Sequence, residues 1–191
     1  VILSGDRLPT IEARRVALRW IGMEDAADLY RIFSDPEVMK YWSSPPMTQS
    51  EEAEALVEGI HRGFAAHSLY EWGIVRKEDG RLIGTFTLWH LDERNRRAEI
   101  GFALARDVWG HGYMREALTA AFDFAFGPMD LSRLEADVDP DNAVSLGLLE
   151  RLGFRREGLL RERWHVGGQV LDSVILGLLR RDWNARDTVR E

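Results

Sequence analysis

Cysteine is absent from this 191-residue chain. That excludes disulfides, thiolate metal sites and a cysteine nucleophile, and it suits a reducing cytosol. Long apolar runs are missing as well, since no stretch approaches the ~20 residues that a membrane helix needs. Val1 to Thr10 lacks the apolar core of a signal peptide, so the chain is expected to be cytoplasmic and not membrane-bound. A basic excess is lacking too. The formal charge is −7, and without a basic stripe no binding to nucleic-acid phosphates is expected. The same acidity tolerates a cationic substrate such as an amine. Repeats, low-complexity tracts and linkers are absent, so residues 1–191 read as one domain. An apolar content of 45%, with 10% aromatic, is enough for a substantial core.

Hydrophobic periodicity orders the elements. Val16 to Trp20 reads as a strand, and a helix follows from about Glu24 until Asp35-Pro36. Tyr41 to Met47 reads as a loop, and a second amphipathic helix runs from Ser50 to about His67. Trp72 to Val75 and Leu82 to Trp89 are strands flanking the hairpin signal Asp79-Gly80. Glu99 to Leu104 alternates, with Glu99, Gly101 and Ala103 on the face opposite Ile100, Phe102 and Leu104. A helix from Gly112 to Phe126, a strand from Leu134 to Val138 and a helix from Ala143 to Leu152 follow. Two further strands meet at Gly167-Gly168, the last being Val174 to Leu179. Such an order predicts an α/β or α+β mixed sheet with helices on both faces.

The strand ending at Leu104 leads into Trp109-Gly110-His111-Gly112-Tyr113-Met114, where the next helix begins. Glycines there let backbone N–H groups approach a ligand, and a helix start adds unpaired donors that favour a pyrophosphate. The turn can equally need glycine for geometry alone. It matches neither the P-loop nor the longer dinucleotide fingerprint.

In context, this strand, turn and helix resemble the cofactor motif of the GNAT acetyltransferases, Gln/Arg-x-x-Gly-x-Gly/Ala. Downstream, Asp141-Asn142-Ala143-Val144-Ser145 and Leu149-Glu150-Arg151-Leu152-Gly153-Phe154 resemble the superfamily's second signature. Asp35-Pro36-Glu37-Val38-Met39-Lys40-Tyr41-Trp42 is similar to the RimJ/RimL branch, which acetylates N-termini of ribosomal proteins. Gly168-x-x-x-Asp172 and Arg181-Asp182-Trp183 fit that branch, and the likeness runs from about Ala17 to Trp183. It implies a central, mostly antiparallel sheet of six to seven strands with about four helices. It also implies an N-acetyltransferase that uses acetyl-CoA and no metal. The partners would be acetyl-CoA and a primary amine, either a peptide N-terminus or a small molecule, and the enzyme would be a monomer or homodimer. One departure is Asp107, where the general pattern has Gln or Arg. The pyrophosphate grip must then rest on the amides of Trp109 to Met114, helped by Arg106 or Arg115.

Direct acetyl transfer needs a base for the ammonium, a donor for the oxyanion and a proton for the thiolate. The resemblance places Glu99 beside the acetyl group as the base; the plainer alternative is an exposed acid paired with Arg96 or Arg97. His90 and Glu135 are backups. The resemblance also implies a splayed strand whose amides at Phe102, Ala103 and Leu104 meet the thioester and pantetheine, Phe102 leading as oxyanion donor. Relatives place a tyrosine acid where Leu149 stands, so Ser145, one turn earlier, is the alternative contact to sulfur. Asn142 caps its helix, binds the pantetheine arm, or does both, and Arg151 faces the 3′-phosphate or water. Tyr41, Trp42 and Met47 offer an apolar acceptor wall, to which Trp89, Trp164 and His165 add, and Glu37 can attract an amine. The missing tyrosine also leaves room for the alternative of an inactive CoA-binding sensor or scaffold.

Overall fold

A computed structural model describes Leu3 and residues 5–186. Val1, Ile2 and Ser4, within the N-terminal stretch read above, lie outside the described residues, as do residues 187–191. Eight strands form one sheet: β1 (Ile11–Glu12), β2 (Val16–Trp20), β3 (Leu69–Arg76), β4 (Leu82–Asp92), β5 (Arg97–Leu104), β6 (Arg133–Val138), β7 (Arg155–Val166) and β8 (Gln169–Leu179). Their order is β1-β2-β3-β4-β5-β6-β8-β7. Every neighbouring pair is antiparallel except β5 with β6. The helices are α1 (Ala26–Phe33), α2 (Pro36–Met39), α3 (Glu51–Ala65), α4 (Tyr113–Phe126), α5 (Ala143–Arg151) and α6 (Arg180–Ala185). The mixed α/β sheet is the one expected from the sequence. It gains the two-residue β1 as an eighth strand, and the short α2 and α6 as extra helices, because elements this short carry no periodicity to detect.

Local chemistry explains where the elements start and stop. Pro36 does more than end α1: with Asp35 accepting from the Glu37 N–H at 2.9 Å, it opens α2 as an N1 proline. Ser50 makes no side-chain cap for α3; instead the Glu52 carboxylate reaches back to the Thr48 and Gln49 N–H groups, at 2.9 Å each. α5 closes at Gly153, whose φ of +99° suits glycine and lets Phe154 turn inward.

The core gathers on α4. Its buried Met114, Ala117, Leu118, Ala121, Phe122 and Ala125 follow helical spacing. Phe122 lies 6.3 Å from Phe86, 5.7 Å from Phe154 and 5.3 Å from Trp183, so it joins sheet, α5 exit and C-terminal helix in one aromatic cluster. α1 packs over β4 and α3 over β3. No helix among the described residues is long and apolar enough to cross a membrane.

Candidate active site

The site begins where β5 and β6 part. These parallel strands pair only at Arg97–Arg133, Ala98–Leu134 and Glu99–Glu135. Beyond Glu99, β5 keeps only β4 as neighbour, and β6 keeps only β8. The gap is a cleft of about 1400 Å³ with Ile100 to Leu104 on one wall and Ala136 to Asp139 on the other. The splay implied by resemblance is therefore present.

Hydrogen-bond alternation fixes which amides face it. The Ala105 N–H donates to the Ile83 carbonyl at 2.8 Å, and β4–β5 register is unbroken from Leu104 back to Glu99. Groups on an antiparallel strand alternate in direction. Gly101 and Ala103 thus point their N–H groups to β4, while Phe102 and Leu104 point theirs into the cleft.

At the far end of β5 lies the glycine turn. Gly110 and Gly112 both have φ of +78°, a left-handed conformation that costs other residues ~1–2 kcal/mol. Gly112 is the N-cap of α4 and offers no side chain to the helix. The Glu116 N–H bonds back to the Gly112 carbonyl at 3.1 Å, which leaves the earlier first-turn N–H groups without helical acceptors. They sit at the positive end of the helix dipole. Trp109 Nε1 donates to the Leu104 carbonyl at 2.8 Å and clamps turn to strand. Arg15 braces the other side: it donates to the His111 carbonyl at 3.0 Å, pairs with Glu116 at 2.7 Å and lies 4.6 Å over the Tyr113 ring.

Trp109, Gly110, Gly112, Tyr113, Met114 and Arg115 all line the cleft, as does Arg151 of α5. The His111 ring does not; its Nδ1 meets the Trp109 carbonyl at 2.8 Å instead. Arg106 is not on the lining either. Asp107 has its own partners, Arg81 at 2.8 Å and Arg31 at 3.2 Å. Partial burial opposes its ionisation, but those guanidiniums prevail and hold its carboxyl below the usual range. The aspartate in place of Gln or Arg is thus a neutralised corner beneath the turn.

Glu99 lines the middle of the cleft. Its partner is neither Arg96 nor Arg97, which bind Asp130 at 3.0 Å and Glu135 at 2.7 Å. Glu99 Oε2 instead lies 3.1 Å from His90 Nδ1, and the exposed His90 ring stacks on Trp89 at 4.2 Å. His90 and Glu99 therefore form a dyad. Glu135 is held by Arg97 and Arg133 and stays off the lining.

Opposite, α5 presents Asn142, Ser145 and Leu148 to the cleft, whereas Leu149 is fully buried in the core. Asn142 caps the helix by accepting from the Ser145 N–H at 3.1 Å. Its amide NH2 remains for a ligand.

The acceptor wall is assembled by the α1–α3 connection. The Met47 N–H donates to the Phe33 carbonyl at 2.9 Å, and Trp42 packs edge-on against Phe33 at 5.3 Å. Tyr41, Trp42 and Met47 line the cleft together with Glu37, Trp89 and Trp164, but His165 does not. Among the lining residues that the sequence did not single out, Glu71 stands apart chemically. Glu71 is buried at 7% exposure, and burial pushes its carboxyl up to about 7, while the Thr85 and Thr87 hydroxyls work in the opposite direction. The strand had been expected to begin at Trp72. The alternation Tyr70, Trp72, Ile74 extends one step earlier and would place Glu71 in the strand, but it carries no signal that the acid is buried.

Residues 15–155 match the family described as the acetyltransferase (GNAT) domain. The chain belongs to this family. It is 36% identical over 176 residues to an uncharacterized N-acetyltransferase, p20, of Bacillus licheniformis, covering 92% of this chain and 99% of that protein. It is 31% identical over 143 residues to a putative ribosomal N-acetyltransferase, YdaF, of Bacillus subtilis, covering 75% and 77% of the two chains. In fold it is similar to Mycobacterium smegmatis RimJ in complex with CoA-disulfide, with a TM-score of 0.82 at 24% identity, covering 94% of this chain and 95% of that one. The chain is accordingly an acyltransferase of the N-acetyltransferase class. These likenesses extend to RimJ-type proteins without singling out that branch.

Proposed function

We propose that this enzyme transfers acetyl from acetyl-CoA directly to a primary amine bound in the Glu99 cleft. The observation that carries the reading is the parting of β5 from β6 beyond Glu99, with the glycine turn at one end and an acidic, aromatic-walled pocket at the other. The residues fit the cosubstrate. Open first-turn amides of α4, with Arg115 and Arg151, match its phosphates, and the Phe102 and Leu104 N–H groups match its amide arm in a β-like pattern.

Acetyl-CoA supplies an activated acyl group as a thioester. The chain's residues do the rest. Glu99, steadied by His90, takes a proton from the ammonium so that the free amine can attack. The Phe102 N–H meets the oxygen that gains negative charge. A nitrogen–carbon bond forms, the carbon–sulfur bond breaks, and the proton that the nitrogen loses on becoming an amide passes to the departing thiolate, whose sulfur Ser145 Oγ hydrogen-bonds. No protein nucleophile takes part, consistent with a chain lacking cysteine.

The acceptor proposed is a peptide N-terminus or a small amine, carried as a cation. Support comes from Glu37, Glu52, Glu71 and Glu99 on the acceptor side, against Lys40 alone among lining cations there. The likeness to a putative ribosomal N-acetyltransferase favours the peptide. CoA-thiol release should be followed with acetyl-CoA and a panel of N-terminal peptides, lysine peptides, polyamines and monoamines. Turnover with at least one supports the proposal. Acetyl-CoA binding without thiol release across the panel would point to a CoA-binding module instead.

A further inference from the structure

Glu71 sits where the transfer chemistry above gives it no task. On the sheet it is in register with Thr87 of β4, and Thr87 is in register with Gly101 of β5. In-register residues share a face, so the three form a row across the strands, ~5 Å apart at each step. Gly101 ends the row without a side chain. Along this row, nothing bulkier than a threonine stands between Glu71 and the strand that receives the thioester. Alternation puts Glu99, two residues from Gly101, on that same face.

Glu71 is buried yet lines the cleft. Among the described residues only hydroxyls, from Thr85 and Thr87, favour its ionised form; no lysine, arginine or histidine does so. A buried carboxylate without a cation is expensive, and removing water from it makes any cation that arrives bind more firmly. The other charged groups around this part of the cleft are Glu37 of α2, Glu52 of α3, Glu99 of β5 and Lys40. Tyr41, Trp42, Met47 and Leu56 supply apolar walls. The pocket thus has apolar walls and a buried acid that has no counterion among the described residues.

We infer that Glu71 is the carboxylate that receives the acceptor's ammonium, selecting amines that arrive charged and holding the nitrogen over Gly101 for deprotonation by Glu99. This rests on the transferase reading and adds the group that chooses the acceptor. Its substrate class is aliphatic amines, protonated at neutral pH, in preference to arylamines, which are not.

The test uses the full-length enzyme, saturating acetyl-CoA, and two acceptors: phenethylamine, charged at neutral pH, and aniline, uncharged. Glu71→Gln is nearly isosteric, and its acetyl-CoA affinity reports whether the fold and cofactor end are intact. We expect the KM for phenethylamine to rise about tenfold or more, on the scale of one lost charge-assisted hydrogen bond, with kcat falling much less. The loss for aniline should be at least about tenfold smaller. Glu99→Gln should show the reverse split, with kcat falling more than KM rises. An unchanged KM for phenethylamine, or equal losses for both amines, overturns the assignment. Calorimetric titration of phenethylammonium into the CoA complex tests it without turnover. Binding that weakens in Glu71→Gln upholds it even if acetyl transfer is undetectable. Equal binding, or none to the wild type, overturns it.

Discussion

Replacing Glu71 by glutamine should make the protein's stability less sensitive to a rise in pH from the acidic range to neutrality, and the size of the effect follows from its burial. The carboxyl rises from 4.5 to about 7 in the folded protein. The folded state therefore holds this proton more tightly than the unfolded chain. Stability falls as pH climbs from 4.5 toward 7, and above 7 the loss is complete and constant. At ~1.4 kcal/mol per pKa unit, the full penalty is ~3 kcal/mol, of which ~2.5 kcal/mol falls between pH 5 and 8. Glutamine does not titrate. Its amide must still find hydrogen bonds among Thr85 and Thr87, but that cost is the same at every pH. Urea denaturation of wild type and Glu71→Gln at several pH values isolates the term, since all other titrations cancel in the difference. The variant should gain ~2–2.5 kcal/mol on the wild type between pH 5 and 8. A gap that stays constant over that range would refute the buried, counterion-free carboxylate.

Three further outcomes test the transfer site. Glu99→Gln should lower kcat by about 10²-fold or more, with acetyl-CoA affinity nearly unchanged in an equilibrium titration. Gly112→Ala should cost ~1–2 kcal/mol in thermal or chemical melts and weaken acetyl-CoA binding several-fold. A Cβ there would meet Arg15 Nη2 at an ordinary 3.5 Å, so the penalty comes from the φ of +78° and not from crowding. Ser145→Ala should reduce kcat by about tenfold or less, because a thiolate is a fair leaving group unaided. Stability should hold within ~0.5 kcal/mol, since the cap bond uses the Ser145 backbone N–H and not its hydroxyl.

The elements that position the site were legible because their signals are local. The glycine pair, the alternation from Glu99 to Leu104 and Asn142 at a helix start each announce themselves within a few residues. Which amides of β5 face the cleft was not, because one backbone hydrogen bond, from Ala105 to Ile83, was needed to fix the phase. Nor were partners distant in sequence. The contact of Glu99 with His90 depends on the positive φ of 47° at His90 and on an irregularity between Trp89 and Asp92. No pattern of residue types predicts such a turn. The same holds for Asp107, whose odd place in the signature makes sense only with Arg31 and Arg81, brought in from α1 and the β3–β4 turn.

Glu71 shows a different limit. An acid between Tyr70 and Trp72 looks like the polar register of a half-exposed strand, and sequence alone assigns it to solvent. Its actual surroundings arise from α3 covering β3, from α1 packing over β4, and from the connection between α1 and α3 folding back onto the end of α1. The consequence for the enzyme is a division of charge within one cleft. In the transfer reading proposed above, Arg115 and Arg151 occupy the end that would face phosphate, and Glu37, Glu52 and Glu71 the end that would face the acceptor. Between them runs the free edge of β5, neutral and lined with amides. On that proposal both charged ligands would be drawn toward opposite ends, and the neutral reacting atoms would meet in the middle, where the strand offers hydrogen bonds and no side chain at Gly101 blocks the approach.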